Sequence, residues 1–135
     1  MENNIQIVQE AYGRFTSGDI PGLLNLCADD ILWQTPEIEN APFGGARRGL
    51  EEVGGFFALL NESEETTLFE ATEFIAQGDR VVALGKYGAT VRETGHSYET
   101  DWVHVFTVEV EKIQSFVEFF DNALATRAFQ KATTA

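Results

Sequence analysis

The sequence contains few of the residues that build disulfide, metal and nucleotide sites. It has one cysteine, Cys27, and two histidines among 135 residues. A single cysteine excludes an internal disulfide and a cysteine-rich metal cluster. Two histidines, with no close cluster of acidic side chains, are too few ligands for a catalytic metal, so we expect neither a metal nor another cofactor. A GxSxG elbow, a P-loop, a GxGxxG turn and an HExxH motif are also missing, which leaves the common nucleotide and zinc enzymes without support.

Positive charge is scarce as well. Nine Lys and Arg residues stand against 22 Asp and Glu residues, which gives a formal net charge of −13. This charge disfavours nucleic acids and anionic membrane surfaces as partners. The N-terminus lacks the basic start and apolar core of a signal peptide, and no apolar run approaches the ~18 residues that span a bilayer. We therefore expect a soluble protein in the cytoplasm.

Hydrophobic residues make up 44% of the chain, and their spacing predicts four helices. Apolar residues at intervals of three and four mark one helix near Ile5–Phe15 and another near Leu50–Leu60. Asp19 and Asp121 stand where their side chains can cap two shorter helices, one after the first helix and one at the C-terminus.

The remaining apolar segments alternate in the manner of β-strands. DDILWQTP predicts one strand, ENAPFGGARRG predicts an irregular connection, and four strands follow in succession from about Thr66. The order is helix, helix, strand, helix, four strands, helix. It predicts a single α+β domain over residues 1–135, in which helices wrap a curved antiparallel or mixed sheet into a cone with an internal pocket.

Two polar side chains interrupt the apolar runs of the last two strands, His104 in DWVHVF and Glu118 in FVEFF. A three-residue turn at residues 110–112 would place His104 opposite Glu118. A two-residue turn would place each of them opposite a valine, at a cost of roughly 1–3 kcal/mol apiece if they are buried. The three-residue turn is therefore predicted, with both side chains on one face of the sheet.

Aromatic residues frame this pair in the predicted register, and other inward positions complete the pocket. The residues expected to line it are Trp102, Phe106, Phe116, Phe120, Trp33, Thr35, Tyr12 and Phe57. A structural role for the pair remains open, because a His–Glu pair across two strands can stabilise a sheet by up to ~1 kcal/mol without catalysis. On the middle strand either Lys86 or Tyr87 faces the pocket, and the pattern does not decide between them.

The element order, the stretch PFGGARRGLEEVGGFF and the segments WVHVF and EKIQSFVEFFD resemble the SnoaL-like polyketide cyclases. These belong to the nuclear transport factor 2-like superfamily, together with ketosteroid isomerase and limonene epoxide hydrolase. The resemblance covers residues 5–130 and implies the cone-shaped fold. In SnoaL-like cyclases a carboxylate on the last strand acts as base beside a histidine of the preceding strand, and Glu118 and His104 match these positions. Residues typical of epoxide hydrolysis and steroid isomerisation have no clear counterpart, which disfavours both reactions.

Three functions are compatible with these features. The first is a cofactor-free enzyme in which Glu118 removes a proton from a carbon next to a carbonyl group, because a carboxylate in apolar surroundings is a stronger base than one in water. His104 would orient Glu118 or hydrogen-bond the enolate oxygen. The second is a binding module for a small apolar molecule, whose polar end the pair would hold. The third is a protein-interaction domain of the same fold.

The face of the sheet opposite the pocket is also apolar in the predicted register. Val103, Val105, Val117 and Phe119 lie on it, and a patch of this kind is rarely left in water. Related domains commonly dimerise through this face. The sequence therefore predicts a homodimer.

Overall fold

Amphipathic helices and alternating strands form the elements of the computed structural model, which describes residues 2–131. The predicted domain limits, residues 1 and 135, lie outside these. The elements are α1 Glu2–Thr16, α2 Ile20–Leu24, β1 Cys27–Thr35, β2 Gly45–Arg48, α3 Leu50–Ser63, β3 Glu64–Gln77, β4 Arg80–Val91, β5 Ser97–Glu109, β6 Lys112–Phe120 and α4 Asn122–Phe129.

The strands of the described chain form one open sheet in the order β2-β1-β6-β5-β4-β3. β1 runs parallel to β6, and the other neighbours are antiparallel. Helices α1 and α3 pack over one face, where Tyr12 of α1 lies 5.8 Å from Phe106 and Phe57 of α3 lies 5.4 Å from Trp33, measured between ring centroids. The predicted α+β architecture is therefore confirmed.

Strand β2 was not predicted. Its segment is rich in Gly and Pro, and this composition predicted an irregular connection. The strand exists through pairing with β1, in which Arg47 lies opposite Trp33 and Gly45 opposite Thr35. The Arg47 guanidinium donates to the carbonyl oxygen of Phe43 at 2.6 Å, which fixes the loop before the strand. Tertiary pairing here overrides a weak local preference.

Both predicted helix caps are confirmed. The carboxylate of Asp19 accepts a hydrogen bond from the backbone N–H of Gly22 at 2.9 Å. Asp121 accepts from the backbone N–H groups of Ala123 and Leu124 at 3.0 and 3.3 Å. Each cap satisfies N–H groups that the first helical turn leaves without a partner. No helix among residues 2–131 has both the length and the apolar character needed to cross a membrane.

Extra residues in β3 give the sheet its curvature. Thr67 and Thr72 each interrupt the pairing with β4, and the Thr72 hydroxyl donates to the Leu84 carbonyl oxygen at 3.1 Å. Bulges of this kind bend a strand and increase its twist. Gly85 permits the close packing inside the bend, since a Cβ atom there would collide with the Glu70 carbonyl oxygen and the Trp102 ring.

The β5–β6 hairpin has the predicted register but a different turn. Glu109 pairs with Lys112, so the turn contains two residues, Val110 and Glu111, and the predicted three-residue turn is wrong. An extra residue in β6, Gln114, then shifts the pairing by one position. This bulge restores the predicted register, in which His104 lies opposite Glu118.

Replacing Val110-Glu111 by Asn-Gly should stabilise the protein. Both residues have positive φ, 52° and 61°, a conformation that costs most L-residues about 1–2 kcal/mol and that Asn-Gly adopts readily. Val110 is 91% exposed, so the change removes no core packing. Urea denaturation should give a free energy of unfolding about 1–2 kcal/mol higher. An equal gain in the control Val110→Ala, which does not favour positive φ, would contradict this explanation.

The outer face of the sheet exposes part of its apolar surface. Val103, Val105 and Val117 are half-buried, and Phe119 is 57% exposed. These are the residues for which the sequence predicted a dimer interface. We propose that two copies of the chain pack through them, since burying this surface removes apolar area from water.

Sedimentation equilibrium at micromolar concentration should give the mass of a dimer. Phe119→Asp should shift the protein to the monomer, because it places a charge in the middle of the proposed interface. Val110→Asp introduces the same charge at the exposed hairpin turn and should leave the mass unchanged. A wild-type mass equal to that of one chain would contradict the proposal.

Candidate functional site

An internal cavity of about 90 Å³ lies between the inner face of the sheet and the helices. This is room for several water molecules, since one requires at least ~10–15 Å³ by this measure. Phe, Tyr and Trp residues form most of its wall. Nine of the ten predicted site residues line it: Tyr12, Trp33, Phe57, Trp102, His104, Phe106, Phe116, Glu118 and Phe120. Thr35 is the exception, because it is buried beside the cavity, where its hydroxyl lies 3.4 Å from the Phe43 carbonyl oxygen.

His104 and Glu118 meet on the wall of this cavity. The His104 Nε2 atom lies 2.8 Å from Oε2 of Glu118, as the predicted register requires. The side chain of His104 is 5% exposed and that of Glu118 is 21% exposed. The pair is therefore inside the protein, but the carboxylate keeps access to the cavity.

Tyr12 extends this pair into a chain of three side chains, which the sequence did not predict. Its hydroxyl oxygen lies 2.8 Å from Nδ1 of His104, although the two residues are 92 positions apart. Burial, and then the charge of Glu118, raise the pKa of Tyr12, so the phenol stays protonated. Its O–H group donates a hydrogen bond to Nδ1. With Nδ1 accepting, a neutral His104 carries its proton on Nε2 and donates to the Glu118 carboxylate.

Aromatic rings hold the imidazole in this orientation. The Trp102 ring stacks on His104 with 4.0 Å between centroids and 15° between planes, and Phe116 meets it edge-on at 4.6 Å. On its other side Trp102 stacks on Phe69 at 5.4 Å. A ring fixed in this way has little freedom to leave either hydrogen bond.

A second carboxylate, Glu64, lines the same cavity and was not predicted from the sequence. It is 2% exposed and accepts hydrogen bonds from the hydroxyls of Tyr87, at 2.5 Å, and Tyr98, at 2.9 Å. Glu64 belongs to the run ESEE, which reads as a solvated helix end. The signal available was Tyr87, which faces the cavity, whereas Lys86 turns outward to an ion pair with Asp101 at 2.9 Å.

The surroundings of Glu64 act on its proton affinity in opposite directions. Burial raises its pKa, the hydrogen bonds from Tyr87 and Tyr98 lower it, and the charge of Glu118 raises it, with a net increase. Burial also raises the pKa of both tyrosines, so they remain donors. The cavity therefore holds two acidic groups with different partners.

Two buried hydrogen-bond donors have no acceptor within the described chain. They are the indole N–H groups of Trp33 and Trp102, and both rings line the cavity. A buried polar group without a partner costs about 1–3 kcal/mol, and such groups are rare in native proteins.

A metal site is not formed by the described residues, since no three His, Cys, Asp or Glu side chains converge among residues 2–131. The absence of a cofactor stays a prediction.

The sequence profile of the SnoaL-like domain family matches residues 8–116. The chain belongs to this family. Among solved structures, a nuclear transport factor 2-like protein from Burkholderia xenovorans is 34% identical over 96% of this chain and 98% of its own, with a TM-score of 0.87. The family resemblance read from the sequence is thereby confirmed.

Two further structures extend the comparison of this SnoaL-like chain. TerC, co-crystallised with polyporic acid, is 27% identical over 94% of this chain and 98% of its own, with a TM-score of 0.82. A protein from Xanthomonas campestris proposed to be a polyketide cyclase is 19% identical over 96% and 98%, with a TM-score of 0.82, which is a likeness of fold alone. No curated protein matches the chain.

Glu64→Gln should change how stability depends on pH. Because the pKa of Glu64 is raised above its ordinary 4.5, the folded protein binds this proton more tightly than the unfolded chain does. Relative to the variant, the wild type should be most stable below pH 4.5 and should lose stability as the pH rises through the higher folded pKa. Urea denaturation of both proteins at a series of pH values from below 4.5 to neutral measures the difference in their free energies of unfolding. Glu62→Gln, at an exposed neighbour, should show no such trend, and parallel curves for Glu64→Gln would contradict the expectation.

Proposed function

We propose that this protein binds a largely apolar, aromatic molecule in its cavity and catalyses proton transfer at a carbon next to a carbonyl group. The observation that supports it is the hydrogen-bonded chain from Tyr12 through His104 to Glu118 inside an aromatic wall. Glu118 is the general base in this proposal. His104 and Tyr12 are positioning residues.

Glu118 has the geometry that a base requires. Its Oε2 atom accepts from His104, while Oε1 has no hydrogen-bond partner among residues 2–131. Oε1 can therefore approach a C–H group of a bound molecule, while the bond to His104 fixes the plane of the carboxylate. Aromatic side chains, among them Phe116 and Phe120, line the cavity beside this carboxylate, and a bound molecule would displace water from it.

The proposed step is balanced within the site. The proton of the C–H bond moves to Oε1 of Glu118, and the electron pair of that bond shifts to give an enolate with its charge on the former carbonyl oxygen. The unpartnered indole N–H of Trp33 or Trp102 can donate to this oxygen. The protonated Glu118 then returns the proton: to the far carbon of the enolate, where a conjugated C=C bond extends it, which is isomerisation, or to the alkoxide oxygen formed when the enolate carbon attacks a second carbonyl group, which is cyclisation.

The wall and the comparisons support the class of ligand. Phe, Tyr and Trp side chains offer flat apolar surfaces that suit stacking with an aromatic molecule. TerC, which is 27% identical to this chain, was co-crystallised with polyporic acid, and this supports an organic molecule as the ligand here. Native mass spectrometry of gently purified protein should accordingly reveal a retained organic compound.

The catalytic part can be tested with 2-tetralone, an aromatic ketone with acidic hydrogens next to its carbonyl. Wild-type protein should accelerate the exchange of these hydrogens for deuterium in D₂O, followed by proton NMR. Glu118→Gln should keep the fold and reduce the exchange rate by ~10²–10⁴, the usual contribution of a positioned acid–base group. His104→Ala should cause a smaller loss, because it removes the orientation of the base and not the base itself.

The control variant is Glu109→Gln, at an exposed position of the same strand as His104, and it should exchange at the wild-type rate. No acceleration by the wild type would contradict the catalytic proposal. If the protein nonetheless retained an organic compound, the binding-module function would be favoured. A lower melting temperature in both site variants, with unchanged exchange, would reduce the pair to a structural role.

A further inference from the structure

We infer that Glu64, Tyr87 and Tyr98 form a second recognition site in the cavity, which binds a hydroxyl group of the ligand. These three residues are called the Glu64 site below. The inference rests on the proposed function, because it assigns the Glu64 site to the same molecule on which Glu118 acts. It makes the ligand a neutral, hydroxylated aromatic compound.

Glu64 has hydrogen-bonding capacity that the protein leaves unused. An ionised carboxylate offers about four acceptor positions. The hydroxyls of Tyr87 and Tyr98 supply two donors, with Tyr98 shared between Oε1 at 3.2 Å and Oε2 at 2.9 Å. No other donor reaches Glu64 within residues 2–131, although its side chain is almost fully buried. A ligand that brought a further donor would complete the site.

The chemistry of the lining selects a hydroxyl group over an anion. The described residues around the cavity include two carboxylates, Glu64 and Glu118, but neither Lys nor Arg. A ligand carboxylate or phosphate would meet like charge without compensation in a low-dielectric space. A hydroxyl can donate to Glu64 and accept from Tyr98, whose shared hydrogen bond to the two carboxylate oxygens it then replaces, so both partners stay satisfied without added charge.

The Glu64 site and the proton-transfer site lie along one wall. Tyr98 and His104 are six residues apart on the same face of β5, which corresponds to about 20 Å between their Cα atoms along a straight strand. Trp102 lies between them on that face. Glu64 and Glu118 nevertheless line the same cavity. A ligand whose aromatic body fills this cavity would therefore extend towards both sites.

Glu64 also lies where a ligand could reach it from outside. A hollow on the surface, between the end of α1, helix α3 and the start of β3, is lined by residues that include Phe15, Phe57, Glu64 and Phe69. All four also line the internal cavity. Glu64 thus lies at the boundary between the two spaces, with Tyr87 and Tyr98 on the cavity side.

Two probes of nearly equal size, 2-naphthol and 2-methylnaphthalene, isolate the contribution of the hydroxyl group. Their dissociation constants can be measured by titration of the intrinsic tryptophan fluorescence. Wild-type protein should bind 2-naphthol at least about 10-fold more tightly, since a hydrogen bond to a charged acceptor in a buried site contributes on this scale. Glu64→Gln and Tyr98→Phe should each reduce that preference to about 3-fold or less.

Two further variants separate the possible outcomes. Glu62→Gln is exposed at the end of α3 and should keep the full preference, and Glu118→Gln should keep it too. Loss of the preference in Glu118→Gln alone would overturn the inference and leave Glu118 as the polar contact of the proposed function. Conversely, Glu64→Gln and Tyr98→Phe could lose the preference for 2-naphthol while Glu118→Gln exchanges deuterium at the wild-type rate. That result would support the Glu64 site and contradict the proposed function.

Failure to discriminate between the probes in the wild type would overturn the inference outright. So would a purely structural result, in which Tyr98→Phe lowers the melting temperature but keeps the preference for 2-naphthol. Tyr98→Phe retains the ring and its packing, so it keeps the test informative even if Glu64→Gln does not fold.

Discussion

One additional residue in β6 determines whether His104 meets Glu118. The two-residue turn by itself would place each of these polar groups against a valine, and the bulge at Gln114 moves the pairing by one position. Every side chain of β6 beyond the bulge changes face with that shift, because successive side chains of a strand point to opposite sides. The inner wall of the cavity, the hydrogen bond between Nε2 and the carboxylate, and the apolar outer face all follow from this bulge.

The protein keeps two acidic groups inside an aromatic cavity without a Lys or Arg partner in the described wall. Its donors are instead an imidazole for Glu118 and two phenols for Glu64. Such donors offset part of the cost of desolvating the carboxylates. The two groups therefore keep distinct properties: one has an oxygen free to accept a proton, and the other has its proton affinity raised by burial.

Membership of the SnoaL-like family accounts for the cone but not for its contents. The scaffold supplies a curved sheet, covering helices and an enclosed space, and the side chains that line the space decide the chemistry. In this chain the wall combines flat aromatic surfaces, two unpartnered indole donors and two acids. This combination suits a ligand that is mainly aromatic, with oxygen atoms at defined positions.

The sequence by itself determined the features that depend on local periods and local hydrogen bonds. Helical spacing, the caps Asp19 and Asp121, the alternation of the strands and the inner face of β5 all arise from residues a few positions apart. The pairing of His104 with Glu118 could also be predicted, because burying either one against a valine is unfavourable whatever the turn. Only the tertiary structure decided the turn and its bulge, strand β2, the bond from Tyr12 to His104 and the burial of Glu64. These features join elements far apart in the chain, where long-range packing and pairing outweigh the local preferences that a sequence pattern reveals.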